Sequence, residues 1–155
     1  MLGQVKSEFM DIVLLDQSIK APEYKTDGAA GLDIYLPRDI TITLGVPLEV
    51  NLGFKAAVPE GYACLLVPRS STGTKKGLYL RNTLGVIDSD YRGEWMAKFC
   101  IDENEGNIFG DELKFKKGDR LIQGLLVPVL HDEIRIVTKL PETKRGDGGF
   151  GSTGK

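Results

Sequence analysis

The sequence predicts an all-β fold, and three observations carry the prediction. Short segments rich in β-branched and aromatic residues recur along the chain, and turn residues separate them. The 19 glycines and seven prolines interrupt nearly every stretch long enough for a helix. The length of 155 residues is that of one domain with its own core. Together these features predict a β-sandwich or β-barrel with little helix.

Six segments are predicted as strands. The clearest is Asp39–Leu44, where β-branched residues alternate with a period of two. The other five candidates are Glu49–Val58, Tyr62–Val67, Trp95–Ile101, Leu121–Val129 and Glu133–Val137. Turns are predicted at Pro59–Gly61 and at Gly118 with Asp119. One turn of helix is predicted near Ser71–Gly77.

Two regions depart from this alternation of strands and turns. The polar segment Asp102–Lys117 is predicted to be a long surface loop. The glycine-rich segment Lys144–Lys155, here called the C-terminal tail, has no packing periodicity and is predicted to be flexible. The prediction is therefore a β domain over residues 1–143, followed by a flexible segment over 144–155.

The charge and the reactive residues narrow the function classes. A net charge of -2 argues against a general nucleic-acid or anionic-membrane binder, although a small anionic ligand fits. Cys64 and Cys100 lie in apolar runs, which favours buried free thiols over a disulfide. The single histidine, His131, is predicted to lie in a surface loop, and it supports neither a zinc site nor a serine triad. Because no segment looks like a membrane span or a secretory signal, we expect a cytoplasmic protein, or a nuclear one in a eukaryote.

The C-terminal tail carries groups suited to phosphate. Arg145 offers a planar guanidinium, Ser152 and Thr153 offer hydroxyl donors, and the glycines let backbone N–H groups approach an anion. Phe150 is an unusual residue for a solvated linker, and stacking on a planar ligand would explain it. The composition alone is equally typical of a disordered tail.

A second anion-binding candidate follows the strand Tyr62–Val67. Here Arg69, Ser70 and Ser71 place a guanidinium and two hydroxyls at a strand end. The alternative interpretation is a polar turn with a helix N-cap at Ser70 or Ser71.

The segment Asn82–Gly93 is the third candidate. Its short apolar runs and glycines predict a hairpin. The amide of Asn82 can both donate to and accept from a base edge, and the carboxylate of Asp88 can take a proton from water at the mouth of a pocket. The alternative is a hairpin with solvated acids at its turn.

Taken in order, five segments resemble the motifs of the trimeric dUTPase family. They cover most of the chain from residue 30 to residue 154, and five such motifs in the right order are a specific signal. The segments are Ala30–Tyr35, Pro68–Ser71, Asn82–Gly93, Gly118–Gln123 and Arg145–Gly154.

The resemblance implies a jelly-roll-like, distorted β-barrel that forms a homotrimer with active sites between subunits. One chain would supply the first, second and fourth motifs, a second chain the third, and a third chain the tail as a lid. The implied reaction converts dUTP to dUMP and pyrophosphate, which limits uracil incorporation into DNA and supplies dUMP for dTMP synthesis. The implied cofactor is Mg²⁺, bound through the triphosphate and water rather than directly by the protein.

The resemblance also implies roles for individual residues. Asp88 is the implied base that activates water, while Arg69 and Ser70 are the implied phosphate ligands at the reacting bond. Asp33 supports the site by holding Arg69 or metal-bound water. The implied uracil and sugar contacts are Asn82, Leu84, Gly85, Ile87 and Tyr91. The implied phosphate and lid contacts are Ser71, Gln123, Arg145, Phe150, Gly151, Ser152 and Thr153.

Two alternatives stay open at the level of sequence. The related dCTP deaminases carry Asp-Pro-Gly near the position of Asp88 and a catalytic Glu soon after, whereas here Ser89 and Asp90 follow and Glu94 has a different context. A regulatory protein with the dUTPase fold is the second alternative, and Asp102–Lys117 would be its partner-binding loop.

Overall fold

The computed structural model describes residues 9–101 and 110–149. Within them the chain forms eleven strands and one short helix, so the all-β prediction is confirmed. The strands are β1 (Ile12–Leu14), β2 (Leu32–Tyr35), β3 (Ile40–Thr43), β4 (Leu48–Asn51), β5 (Phe54–Ala56), β6 (Tyr62–Pro68), β7 (Leu78–Leu80), β8 (Gly85–Ile87), β9 (Met96–Ile101), β10 (Glu112–Phe115) and β11 (Arg120–Pro128). The helix α1 spans Ser70–Lys76, close to the predicted turn of helix.

The strands pair antiparallel in four sheets. The largest has the order β2-β11-β6-β8, and the second has the order β4-β9-β7. The pairs β1-β5 and β10-β3 complete the set. Since β11 pairs with β2 on one side and β6 on the other, this central strand brings the first, second and fourth motifs side by side.

One hydrophobic core lies between the sheets. Strand β3 shows how the sequence selects its inner face, because Ile40 and Ile42 are buried while Thr41 and Thr43 are exposed. Trp95 is fully buried, and its ring lies 5.1 Å from that of Phe54. Burial of each such large side chain contributes roughly 1.5–3 kcal/mol, so the core supplies most of the stabilising free energy.

Four of the six predicted strands correspond to single strands, and a fifth is broken. The sequence predicts one strand over Glu49–Val58, but the chain leaves β4 at Asn51 and begins β5 at Phe54. Gly53, between them, has a φ of 76°, a left-handed conformation that ends the pleat.

The predicted strand Glu133–Val137 is wrong. Its alternating Ile134 and Ile136 are 91% and 99% exposed, and no strand among the described residues pairs with them. Alternation and β-branching identify a segment suited to a sheet, but a strand forms only where another strand offers hydrogen bonds. We call residues 129–143 the C-terminal arm.

Three other predictions need correction. Part of the predicted loop Asp102–Lys117 is the strand β10, which pairs with β3; residues 102–109 lie outside the described residues. The helix N-cap is Arg69, without a side-chain cap, rather than Ser70 or Ser71. The segment Asn82–Gly93 is not a self-paired hairpin, because its strand β8 pairs with β6.

Two smaller predictions, on the cysteines and on His131, are confirmed. Cys64 and Cys100 are buried and free, and burial raises the pKa of the Cys64 thiol to about 12. His131 is exposed outside any regular element. Over the described ranges, no helix is long and apolar enough to cross a membrane.

Candidate active site

One buried carboxylate binds two arginines from different strand ends. Asp33, on β2, is only 6% exposed. Its Oδ1 lies 3.0 Å from Nε of Arg69, and its Oδ2 accepts a hydrogen bond of 2.6 Å from Nη1 of Arg120. Two guanidiniums beside one carboxylate leave an excess of one positive charge, which suits a site for a polyphosphate.

The register of β11 explains why these groups meet. Gln123 lies opposite Asp33, and Ile122 lies opposite Ile34. The register then shifts, so that Arg120 lies opposite Tyr35. A β-bulge of this kind re-aims side chains, and here it places Arg120 on the same face as Asp33.

Gln123 completes this group of polar side chains. A methyl group placed on Gly31 would lie 2.1 Å from Oε1 of Gln123, so the glutamine side chain covers the backbone of Gly31. Glycine in the first motif therefore leaves room for the glutamine of the fourth. The structure brings together the predicted site residues Asp33, Arg69 and Gln123.

The second motif continues from Arg69 into α1. The backbone N–H of Arg69 donates to the carbonyl of Leu121 at 2.9 Å, which ties the end of β6 to β11. Ser70 and Ser71 follow at the start of α1, and both are exposed. Both side chains are therefore accessible, directly after Arg69 in the chain.

An ionic network supports β2 from the other side. The backbones of Glu23 and Asp33 exchange two hydrogen bonds, of 2.9 and 3.1 Å. The Glu23 carboxylate binds Lys20 at 2.7 Å and also contacts Lys25 and the hydroxyl of Tyr35. The contact with Lys20, followed by those with Lys25 and Tyr35, lowers the pKa of Glu23 to about 2.

The third motif lies around β8, on the far edge of the large sheet. Asn82 and Gly85 line a cavity of about 290 Å³, together with Leu66, Leu80 and Met96 among other residues. Ligand pockets usually measure ~300–1,000 Å³, so this cavity has the size for a base rather than a whole nucleotide. Its lining also includes the charged residues Glu49, Arg81 and Lys98, so apolar side chains could contact the face of a pyrimidine and polar groups, including the Asn82 amide, its edge.

The chain folds tightly around this cavity. Thr83 has a φ of 64°, and the N–H of Leu84 donates to the carbonyl of Asn82 at 2.6 Å. A methyl group on Gly85 would lie 2.9 Å from Cβ of Leu66, so only glycine fits there without a shift. The main chain of Gly85 therefore borders the cavity directly.

Asp88 and Tyr91 lie in the loop that follows Ile87 at the end of β8. Both are exposed, and the N–H of Tyr91 donates to the carbonyl of Asp88 at 3.2 Å. The Tyr91 hydroxyl donates to the carbonyl of Glu94 at 3.0 Å, which folds the ring over Gly93. The tyrosine is thus a fixed platform beside an accessible carboxylate.

The structure does not bring Asp88 together with Arg69 within one chain. Ile87 pairs with Cys64, so Asp88 is level with Ala63, whereas Arg69 follows the opposite end of β6. Six residues of strand between these levels correspond to roughly 20 Å. Their backbones therefore lie at opposite ends of β6, and no contact joins the two side chains in the described part of the chain.

The tail residues are only partly described. Arg145 is exposed, and its Nε donates to the carbonyl of Gly148 at 2.7 Å, within its own turn. Among the described residues, no hydrogen bond joins its side chain to Ser70 or Gln123. The predicted site residues Phe150, Gly151, Ser152 and Thr153 lie outside the described residues.

A divalent metal bound by the protein itself would need several acidic, histidine or cysteine side chains close together. No group of three or more His, Cys, Asp or Glu in the described part of the chain is placed to hold an ion. Both oxygens of Asp33 already face arginines. Binding of Mg²⁺ through a triphosphate and water, the mode that the family resemblance implies, stays a prediction.

Sequence reasoning missed two members of the site. Arg120 stands in the fourth motif without an assigned role, and no pattern pointed to Met96 as part of the cavity. The adjacent apolar pair Leu121 and Ile122 was an available signal for Arg120, since both are buried and thus break the alternation of β11.

Comparisons with known proteins agree on one family. The dUTPase family model matches residues 17–154. A Deoxyuridine 5'-triphosphate nucleotidohydrolase of Burkholderia lata is 39% identical, covering 94% of this chain and 98% of its own length. The Staphylococcus bacteriophage 80alpha dUTPase with dUPNHPP superposes with a TM-score of 0.86 at 24% identity, covering 96% of this chain and 100% of that one.

A further solved structure shares the fold. A mutant dUTPase from phage phi11 of S. aureus, which coordinates a structural Mg(II) ion, has a TM-score of 0.74 at 22% identity. The match covers 84% of this chain and 97% of the phage chain.

Proposed function

Because the chain belongs to the dUTPase family, we propose that it hydrolyses dUTP to dUMP and pyrophosphate by attack of water on the α-phosphorus. In the cell this reaction limits uracil incorporation into DNA and supplies dUMP for dTMP synthesis. The observation that carries the proposal is the pairing of a cationic group at Asp33 with a base-sized cavity at Asn82.

The described residues divide the reaction between them. Asp88 takes the proton of the attacking water, which requires the exposed position it has. Arg69 and Ser70 bind the phosphates at the bond that breaks and stabilise the charge that develops on pyrophosphate. Ser71 and Gln123 bind neighbouring phosphate oxygens. Mg²⁺, when bound to the triphosphate, neutralises part of its charge.

The third motif selects the nucleoside. Asn82 and the main chain of Leu84, Gly85 and Ile87 bind the uracil edge, while the ring of Tyr91 excludes a 2′-hydroxyl from the sugar position. One methyl group changes attraction in an apolar pocket by only about 10–200-fold. The tight backbone around Gly85 therefore rejects thymine by steric exclusion.

We further propose that the active protein is a homotrimer with each site between subunits. The main support is the distance of roughly 20 Å between Asp88 and Arg69 within one chain. Only a second chain can bring such a carboxylate to the phosphates beside Arg69.

Two exposed apolar surfaces support the same assembly. On the outer face of the large sheet, Leu65 lies between Leu125 and Val86, and Val86 is 56% exposed. On the C-terminal arm, Ile134 and Ile136 are almost fully exposed. Apolar surfaces of this kind mark contacts between proteins, and an arm that docks on a neighbour would carry the tail, with Arg145, Phe150, Gly151, Ser152 and Thr153, over that neighbour's site.

The cytoplasm, or the nucleus in a eukaryote, is the proposed location. Cys64 and Cys100 are free thiols, which persist in a reducing compartment. Both nucleotide synthesis and DNA replication take place in these compartments.

Hydrolysis in H₂¹⁸O tests the position of attack. We expect one ¹⁸O atom in the phosphate of dUMP and none in pyrophosphate, since water bonds to the α-phosphorus and the bond to pyrophosphate breaks. Label found in pyrophosphate would overturn this mechanism.

Replacement of Asp88 tests the base. Asp88→Asn keeps the size of the side chain but removes the proton acceptor, so turnover should fall by 10²-fold or more, the usual contribution of a general base being ~10²–10⁴. The affinity for dUMP should change little. Asp39→Asn, at an exposed ion pair with Lys116, is the matched control. Equal turnover in the two variants would refute the role of Asp88.

Removal of residues 144–155 tests the lid. The shortened protein should keep its barrel, as measured by circular dichroism and thermal unfolding, and lose most of its dUTP turnover. Full activity without these residues would contradict the assignment of the tail to the site.

A further inference from the structure

We infer that Arg120 is a positioning residue of this reaction, which holds Asp33 and, through it, keeps the guanidinium of Arg69 oriented for the phosphates. The inference rests on the proposed function. It concerns a side chain that contacts Asp33 directly and can act on Arg69 only through that carboxylate.

The carboxylate of Asp33 is divided between the two arginines. Oδ1 faces Nε of Arg69 at 3.0 Å, and Oδ2 accepts from Nη1 of Arg120 at 2.6 Å. A carboxylate can rotate about its last bond, and a charge-assisted hydrogen bond to one oxygen fixes the position of the other. Arg120 therefore determines where Oδ1 lies, and Oδ1 determines where Arg69 points.

The backbone has a special conformation that achieves this contact. In a regular strand Arg120 and Gln123, three residues apart, would face opposite sides of the sheet. The register shift between Arg120 and Ile122 places both on the face of Asp33. The extra residue is accommodated by burial of Leu121 and Ile122 in succession, at 3% and 1% exposure. A bulge next to a site is a common device for aiming one side chain.

The main chain of the same segment holds Arg69 independently of the Arg120 side chain. Nη1 of Arg69 approaches the carbonyl of Arg120 at 3.5 Å, and the N–H of Arg69 donates to the carbonyl of Leu121 at 2.9 Å. Loss of the Arg120 side chain therefore leaves Arg69 attached but frees the carboxylate that orients it. The expected defect is in phosphate alignment rather than in folding.

Steady-state kinetics of variants test the inference. Arg120→Gln should lower kcat/KM for dUTP by about 10–100-fold, the usual effect of removing a partner that orients a site ligand. Arg120→Lys keeps the charge and an N–H donor group, so its kcat/KM should lie between those of Arg120→Gln and the wild type. Arg38→Gln removes an exposed arginine elsewhere and is the matched control.

A double-mutant cycle separates positioning from direct contact with substrate. If Arg120 acts through Arg69, then Arg120→Gln should cost less than about 3-fold in an Arg69→Gln background. A full loss of about 10–100-fold in that background would overturn the assignment, because Arg120 would then act on the phosphates by itself. Wild-type kinetics in Arg120→Gln, equal to those of Arg38→Gln, would overturn it as well.

Nucleotide binding supplies a measurement that a loss of folding would not mimic. By calorimetry, Arg120→Gln should bind dUMP within about 3-fold of wild type but bind a non-hydrolysable dUTP analogue more weakly, since only the analogue carries the β- and γ-phosphates. Equal losses for both ligands would indicate a general structural role and overturn the inference. A wild-type protein that releases no dUMP from dUTP would instead refute the proposed function itself.

Discussion

Replacing Asp33 with asparagine removes one buried negative charge, so the guanidiniums of Arg69 and Arg120 lose their carboxylate partner. The side chain keeps its size, so no cavity forms and the core is unchanged. Asp33 is 6% exposed, while the side chains of Arg69 and Arg120 are 30% and 33% exposed. The substitution therefore isolates the contribution of the carboxylate.

The expected loss in the free energy of unfolding follows from the two contacts of Asp33. A hydrogen bond to a charged group contributes about 1.5–3 kcal/mol. Because both arginines are about a third exposed, solvent screens them, and the lower end of the range applies to each contact. We therefore expect the free energy of unfolding to fall by about 3 kcal/mol. With a urea m-value of ~2 kcal/mol/M, the midpoint should fall by ~1.5 M.

Urea unfolding at pH 7, followed by the fluorescence of Trp95, measures this change. The protein concentration must be equal in all samples, because the proposed assembly of subunits would make the apparent stability depend on concentration. The control is Asp39→Asn, whose side chain is 59% exposed and pairs with an exposed Lys116, so its cost should stay below about 1 kcal/mol. If Asp33→Asn shifts the midpoint no more than the control does, the carboxylate does not hold the two arginines in the way described.

Two further predictions concern titratable groups. Since the pKa of Glu23 is lowered to about 2 from an ordinary value of 4.5, its stabilising effect is complete above pH 4.5 and is lost as the pH falls towards 2. The urea midpoints of wild type and Glu23→Gln should therefore differ at pH 6 and converge near pH 2; a constant difference would contradict the prediction. Burial raises the pKa of Cys64 to about 12, so iodoacetamide at pH 8.5 should modify it only after unfolding, as read by peptide mass mapping. Equal rates in native protein and in urea would refute this.

The spacing of apolar and turn residues was enough to predict four of the strands. The alternation in Asp39–Leu44 reflects one face on the core and one on solvent, and the structure follows it residue by residue. Glycine-bounded apolar runs likewise predicted β6, β9 and β11. In these segments local propensity and burial favour the same conformation, so composition and spacing suffice.

Failures arose where a distant partner decides the structure. Glu133–Val137 has the pattern of a strand but pairs with no strand within the described chain. Glu112–Phe115 lies in a segment that is polar as a whole, yet it alternates charged and apolar residues and pairs with β3. Gly53 breaks a predicted strand through a backbone conformation that its neighbours do not reveal. The pattern within a segment does not show which distant segment will pair with it.

The candidate site was likewise predictable from the motifs only in part. The five motifs identified Asp33, Arg69 and Gln123 as members of one site, and the structure brings these three together. The sequence did not reveal that Arg120 shares Asp33, because that contact depends on a bulge. The resemblance implied that Asp88 and Arg69 of one site come from different chains, and the register between β6 and β8 places them at opposite ends of β6.

The most direct test of the account is a chromatographic assay of products from dUTP, dTTP, dCTP and UTP, each incubated separately with the protein and Mg²⁺. We expect dUMP and pyrophosphate from dUTP, and little or no product from the other three. Release of dUTP or dUMP from dCTP would assign the protein to the deaminases that share this fold. Failure to release dUMP from dUTP would contradict the central claim outright.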